Sequence, residues 1–516
     1  MSIDLKKSVS FLFVLLVLSF ILQGAFWIIF GNVHTDENWY FAQSYLVTQG
    51  QLPYQDFFSY HAPLSSLLHA FPQHFFGPSL YLGRVCAFLF YLLGIILSIK
   101  IAYRLAGRWA GILVLVFCIF SPSAFYYSTI MAVHTAESFL VLLSLYLLIS
   151  VRKKPLKYIS SVAVMSLANC VKYIYSPWLW LLLLYILLKE RQNLKMFLYS
   201  LLTALAVFGI VLLPFYFKAG PKFLSCMIWQ LIQQSVGTEG LAAVSFFDRI
   251  LYLFPVVQTY FPFYLILGSF FIYYWLIRDK KKSLSDYLKQ PEFIFLLSLF
   301  VVSGIFAYTF LIRIAPEPFH AINYFPYLVL LSAVASAKLI KGLNEKKSRQ
   351  LFTTIFALLI FFTPFLQPRS WELFNLGWQR REVRSVYEVA GKIKAYTQKD
   401  SLVFTFSPIF AAQADRKVLK GMEFDAYGYH PDWPDSFCQT FGFLNTQMLI
   451  DRLNNKDAGI LVLSQDRFFR PLHRARFIEK DLGVLRDAID RNYRVEEKLS
   501  FPRIYRGDVY IYLPRD

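Results

Sequence analysis

The sequence predicts an α-helical polytopic membrane protein with one small α/β domain outside the bilayer. Three observations predict it: the composition, a series of long apolar windows, and a collapse of hydropathy after about residue 367. Soluble domains average about 45–50% apolar and about 25% charged residues. This chain of 516 residues is 57% hydrophobic and only 16% charged, with a mean hydropathy of +0.46. Its 53 Phe and 33 Tyr exclude disorder and small disulfide scaffolds, because that aromatic surface must be buried in protein or lipid. The net charge of +19 would suggest nucleic acid as the partner of a soluble chain. Here it records topology instead, and no nucleic-acid partner is expected. The five cysteines show neither metal-type nor CxxC spacing.

Ten apolar windows approach or exceed the roughly 20 residues a spanning helix needs. They lie near 9–30, 80–99, 109–130, 132–151, 158–188, 196–217, 252–277, 292–312, 319–340 and 351–367. The window 158–188 would make a helix of roughly 46 Å against a hydrocarbon core of about 30 Å, so a hairpin fits it better. The distribution of cations supports this, since short cytoplasmic loops carry the Lys and Arg excess. With the N-terminus inside and a hairpin at 158–188, the basic clusters at 6–7, 100–108, 152–157, 189–195, 278–289 and 338–349 all face the cytoplasm. The short outer segments then keep only Lys172, Lys218, Lys222, Arg249 and Arg313. About eleven spans result. The first window lacks a small-residue cleavage site and stays as a helix. The division is a membrane domain over 1–367, with a first outer loop at 31–79, and an extracytoplasmic α/β domain over 368–516. Helix-period segments at 381–397 and 445–455 and strand-like runs at 402–406, 459–464 and 509–513 mark the second domain.

The first outer loop stands apart chemically. No Lys or Arg occurs between Phe30 and Arg84, yet the loop holds Asp36, Glu37 and Asp56 with four of the eight histidines, His34, His61, His69 and His74. Asp36 to Gln43 reads as an amphipathic helix at the membrane interface, capped by Thr35 or Asp36, with Trp39 and Tyr40 at headgroup depth and Gly50 and Pro53 ending it. A second short helix precedes the return to the membrane. Adjacent Asp36 and Glu37 suit either a general base or the acidic first turn of a capped helix. Asp56 and His61 divide evenly between a site and turn chemistry.

Glu137 lies one turn into the outer end of the fourth span, where an ionisable group is a functional candidate by default; otherwise it snorkels to water or pairs with His134. Lys172, Arg313 and His320 are isolated cationic positions on a cation-poor face, either phosphate ligands or snorkelling side chains. No Gly-rich phosphate loop, HExxH or dinucleotide fingerprint occurs, so a soluble nucleotide donor is unsupported. A divalent metal is compatible with the carboxylates, but no ligand spacing demands one.

Asp36-Glu37-Asn38-Trp39-Tyr40, then Gly50, Pro53-Tyr54-Gln55-Asp56-Phe57-Phe58 and His61-Ala62-Pro63-Leu64, resemble the membrane glycosyltransferases of the GT-C superfamily, the RgtA/B/C/D-like, ArnT-like and protein O-mannosyltransferase-like groups. The likeness continues at Gly77, Arg84, Glu137, Lys172 and Pro326. It implies a multi-pass enzyme of a bacterial cytoplasmic membrane that moves a sugar from a polyprenyl-phosphate carrier to a lipid, glycan or protein acceptor on the outer face, with inversion. It further implies Asp36, beside Glu37, as base or acceptor-positioning group and Glu137 as the second acid, a Glu where related proteins often have Asp. Asp56 and His61 would line the substrate site. Lys172, Arg313 and His320 would neutralise the departing lipid phosphate. The rival from another class is a lipid or solute transporter or flippase, which calls for mid-membrane charges on broken helices in paired halves. Neither occurs in the sequence. A lipid-binding assembly factor with a degenerate site is a third reading.

Overall fold

The computed structural model describes residues 5–173, 176–236, 325–342, 346–366, 382–465, 479–501 and 507–516, with Phe263, Leu265, Ile266 and Gly268 between them. Helix α1 (Leu5–Phe30) exposes large apolar side chains such as Val14, Leu18 and Leu22, as a lipid-facing helix does. The first loop folds into α2 (Thr35–Thr48) and α3 (Leu64–Phe76), and α4 (Leu80–Ala106) follows. Among the described residues, Phe13–Phe30, Leu80–Ala106 and Leu194–Ala219 are each long and apolar enough to cross a membrane alone.

The straight span expected over 109–130 is instead two helices, α5 (Arg108–Ile119) and α6 (Pro122–Thr129), bent by 76°. Pro122 supplies no N–H to continue the ladder, and the Ser121 hydroxyl donates back to the Phe117 carbonyl at 2.8 Å. Every residue of α6 is buried, packed against α1 and α4. The hairpin expected at 158–188 is present as α8 (Lys154–Val171) and α9 (Ser176–Lys189). Helix α7 (His134–Ser150) packs on α8 through a pair of small residues, Ser144 and Ser161, whose hydroxyls each donate to the other's carbonyl at 2.7 and 2.8 Å. Small polar residues of this kind let two helices approach closely in lipid. Helices α10 (Leu194–Ala219), α11 (Pro221–Val236), α12 (Phe325–Gly342) and α13 (Lys346–Leu366) follow. Apart from the four residues named above, the expected spans at 252–277 and 292–312 lie outside the described residues.

Beyond α14 (Glu382–Tyr396) a five-stranded sheet forms in the order β2-β1-β3-β5-β4. Strands β1 (Leu402–Phe404), β2 (Lys417–Val418) and β3 (Ile460–Ser464) are parallel, while β4 (Tyr493–Leu499) and β5 (Val509–Pro514) add antiparallel. Helices α15 (Ile409–Gln413), α16 (Asp435–Phe441), α17 (Thr446–Asn454) and α18 (Glu479–Asn492) complete the domain. Strand β4 has no counterpart in the sequence expectations. It is a charged edge strand, Arg494 to Lys498, whose exposure removes the apolar alternation that marks a half-buried strand.

Helix α2 joins the two domains, and protein covers it on both sides. Glu37 to Leu46 are all buried. Trp39 and Tyr40 pack into the core of the membrane helices, whereas Phe41, Ala42, Tyr45 and Leu46 pack into the core of the α/β domain. A helix apolar on both sides finds two proteinaceous partners. Long-range polar contacts hold it there. Asn38 Nδ2 donates to Asp425 at 3.1 Å and the Tyr45 hydroxyl to Asp415 at 3.1 Å. Just before the helix, the Val33 N–H donates to Glu382 at 2.6 Å.

Candidate active site

The cap of α2 is His34, not Thr35 or Asp36. Its extended backbone, φ −73° and ψ 150°, turns Nδ1 onto the Asp36 N–H at 3.2 Å, while Glu37 reaches back to accept the His34 N–H at 2.9 Å. This reciprocal box fixes the first turn, and Asp36 occupies that turn half-buried.

Glu37 is fully buried and its oxygens are saturated. Arg84 Nε donates to Oε1 at 2.8 Å and Nη2 to Oε2 at 2.7 Å, and the Met131 N–H adds a bond to Oε1 at 2.9 Å. The same guanidinium donates to the carbonyls of Trp27, Ile28 and Gly31 at the end of α1 and of Asn32 beyond it. One ion pair therefore ties α1, α2, α4 and the 130–133 turn into a single junction. Gly83 allows that turn to come close, since a Cβ there would lie 2.2 Å from Met131 Sδ.

Tyr40, one turn after Asp36, is the hub of the site. Its hydroxyl lies 3.2 Å from His61 Nε2, and its ring stacks on His61. Burial first, then Tyr60, and after it Asp36 and Glu137, push the phenol well above its ordinary pKa. Both carboxylates thus lie within electrostatic reach of one hydroxyl. Glu137 is 0% exposed, so it does not snorkel. Among the described residues neither of its oxygens has a hydrogen-bond partner, and His134 does not supply one. Instead His134 Nδ1 lies 3.1 Å from Lys172 Nζ, and Lys172 is within electrostatic reach of Glu137. Lys172 is 6% exposed, so it too is held inside. The Tyr327 hydroxyl, donating to the Ser138 carbonyl at 2.9 Å, brings α12 against this end of α7. An apolar crevice alongside is lined by Phe90, Tyr91, Gly94, Thr135, Ser138, Phe139 and Pro326.

The structure brings Asp36, Glu37, His61, Glu137 and Lys172 to one neighbourhood. Asp56 serves the turn before it: its Oδ2 accepts the Leu52 N–H at 2.7 Å, and Tyr54 beside it has φ +70°. Arg313 and His320 lie outside the described residues. Among the described residues no group of three His, Cys, Asp or Glu is arranged to hold a metal.

No family model and no curated protein matches the chain. Solved structures do. The crystal structure of ArnT from Cupriavidus metallidurans in the apo state matches with a TM-score of 0.66 at 13% identity, covering 98% of each chain. The same protein bound to undecaprenyl phosphate matches with a TM-score of 0.63 at 13% identity, again covering 98% of each. The chain shares the fold of ArnT.

Within that fold, two participants escaped the sequence. Arg84 was visible as the cation that ends the cation-free loop, but nothing local pairs it with a carboxylate 47 positions earlier. Tyr40 was visible as the i+4 neighbour of Asp36, a spacing that stacks side chains on one helix face. Its contact with His61 depends on the loop closing back.

Proposed function

We propose that the protein is a membrane glycosyltransferase that moves a sugar from a polyprenyl-phosphate donor to an acceptor at the outer face of a bacterial cytoplasmic membrane, with inversion. The convergence of Asp36 and Glu137 on Tyr40 beside the buried Lys172 carries this reading, in a fold shared with a protein crystallised with undecaprenyl phosphate. The acceptor oxygen attacks the anomeric carbon, its proton passes to Asp36, and the bond to the carrier phosphate breaks on the opposite face. Polyprenyl phosphate is the leaving group. It needs no protonating acid, so position and charge suffice. Lys172, with His134 beside it, supplies positive charge for the departing phosphate. Glu137 orients the acceptor. Glu37 has no oxygen to spare, and its part is to hold Asp36 in place through Arg84. His61 orients the Tyr40 hydroxyl. The mid-membrane charges that a flippase needs find no support among the described residues.

Asp36→Asn tests the reading. Expected is a loss of sugar transfer to cell-envelope glycan of at least about a hundredfold, the range of a removed general base. Membrane insertion and melting temperature stay at wild-type values. Undiminished transfer at equal expression would sink the proposal.

A further inference from the structure

Helix α3 is built inside out. It turns Ser65, Ser66, His69 and Gln73 inward, while Phe71, Phe75 and Phe76 are 70%, 66% and 79% exposed. In water that arrangement would be unfavourable; against lipid the outward face is at home, and the inward polar stripe needs partners of its own. Part of the stripe has them. The Ser66 hydroxyl donates to Gln43, and the Gln73 amide nitrogen donates to the His69 carbonyl at 3.1 Å.

His69 is different. It is 1% exposed; one ring nitrogen turns to the Ala132 backbone, while the other, like Gln73 Oε1 one turn further on, has no hydrogen-bond partner among the described residues. Its ring meets Tyr40 edge-on with centroids 6.5 Å apart, beside the Ala132 backbone that leads into the helix of Glu137. Burial pushes its pKa down to about 4, so at neutral pH it is an uncharged imidazole with one donor and one acceptor. Buried polar groups in native proteins are almost always paired, and one aimed into a site without a protein partner is open to a ligand's. A sugar hydroxyl can donate to the ring nitrogen left open and to Gln73 Oε1 beside it.

Resting on the transferase reading above, we propose that His69, with Gln73 behind it, hydrogen-bonds hydroxyl groups of the transferred sugar and so determines which sugar the enzyme accepts.

Full-length protein in lipid nanodiscs, wild type, His69→Leu and His69→Gln, is titrated with undecaprenyl phosphate and with undecaprenyl phosphate bearing glucose, galactose or mannose. Wild type is expected to bind one sugar lipid about tenfold tighter than bare undecaprenyl phosphate, the worth of roughly one hydrogen bond. In His69→Leu that preference disappears while affinity for the bare lipid stays within about twofold, and His69→Gln, which keeps a donor and an acceptor, retains a preference in altered order. An unchanged preference in His69→Leu overturns the inference, and so does an equal loss for every lipid. Wild type that binds the bare lipid without discriminating among sugars overturns it but leaves the transferase reading standing. No binding of any polyprenyl phosphate removes both.

Discussion

Two buried glutamates, both 0% exposed, show how differently this molecule uses a desolvated charge. At the junction of α1, α2 and α4, Glu37 meets the guanidinium of Arg84 in a two-pronged pair and two backbone N–H groups as well. In the first turn of α7, Glu137 has no donor among the described residues and only the nearby charge of Lys172. A carboxylate with every lone pair occupied can hold a fold together but has nothing to offer a substrate. One left undersatisfied carries an energetic penalty that a ligand can relieve, which is the usual signature of a site.

Breaking either partner of the junction gives the largest effect. Glu37→Gln or Arg84→Met leaves an uncompensated buried charge, and each is expected to destabilise by about 3–5 kcal/mol, read as loss of folded protein in detergent. The double variant recovers much of that loss because no orphan charge remains. If the double variant is as unstable as the sum of the two, the pair is not the keystone described here.

The opposite sign is expected at the second glutamate. Glu137→Gln replaces a buried carboxyl that has no hydrogen-bond partner among the described residues, so stability should rise by on the order of 1 kcal/mol while transfer activity falls. A destabilisation like that of Glu37→Gln would erase the contrast between the two sites.

A third carboxyl sharpens the contrast with a pH signature. Glu423, in the α/β domain, accepts the Gly421 N–H at 2.7 Å, and burial pushes its pKa from an ordinary 4.5 up to about 7. A carboxyl raised in the folded state keeps its proton where the unfolded chain has lost it, so folding stability falls as pH rises from about 4.5 to about 7. Glu423→Gln should therefore match wild type near pH 4.5 and melt a few degrees higher at pH 8. Parallel melting curves at both pH values would show that Glu423 does not titrate in that window.

Much of the architecture was legible because it depends on local pattern. The hairpin in 158–188 followed from length and cation placement, and β1, β3 and β5 followed from apolar runs. The bend between α5 and α6 was not read, although Ser121-Pro122 marks it, because a purely apolar window hides a break in direction. The site was half legible. Asp36, Glu137 and Lys172 stood out as charges in apolar surroundings, and so did Asp56, whose carboxylate accepts the Leu52 N–H within a turn.

The sequence by itself determined that the chain is embedded in lipid, where its apolar helices run, that a mixed domain follows them, and that one cation-free loop concentrates acid and imidazole. Composition and period suffice for that, since burial in lipid acts on each segment separately. Only the tertiary structure decided that α2 lies between two cores, that Glu37 belongs to Arg84, and that Val33 is held by Glu382 from 349 positions away. Those pairings join residues with no local signature of each other, and a carboxylate's role is fixed by the donors that folding brings to it.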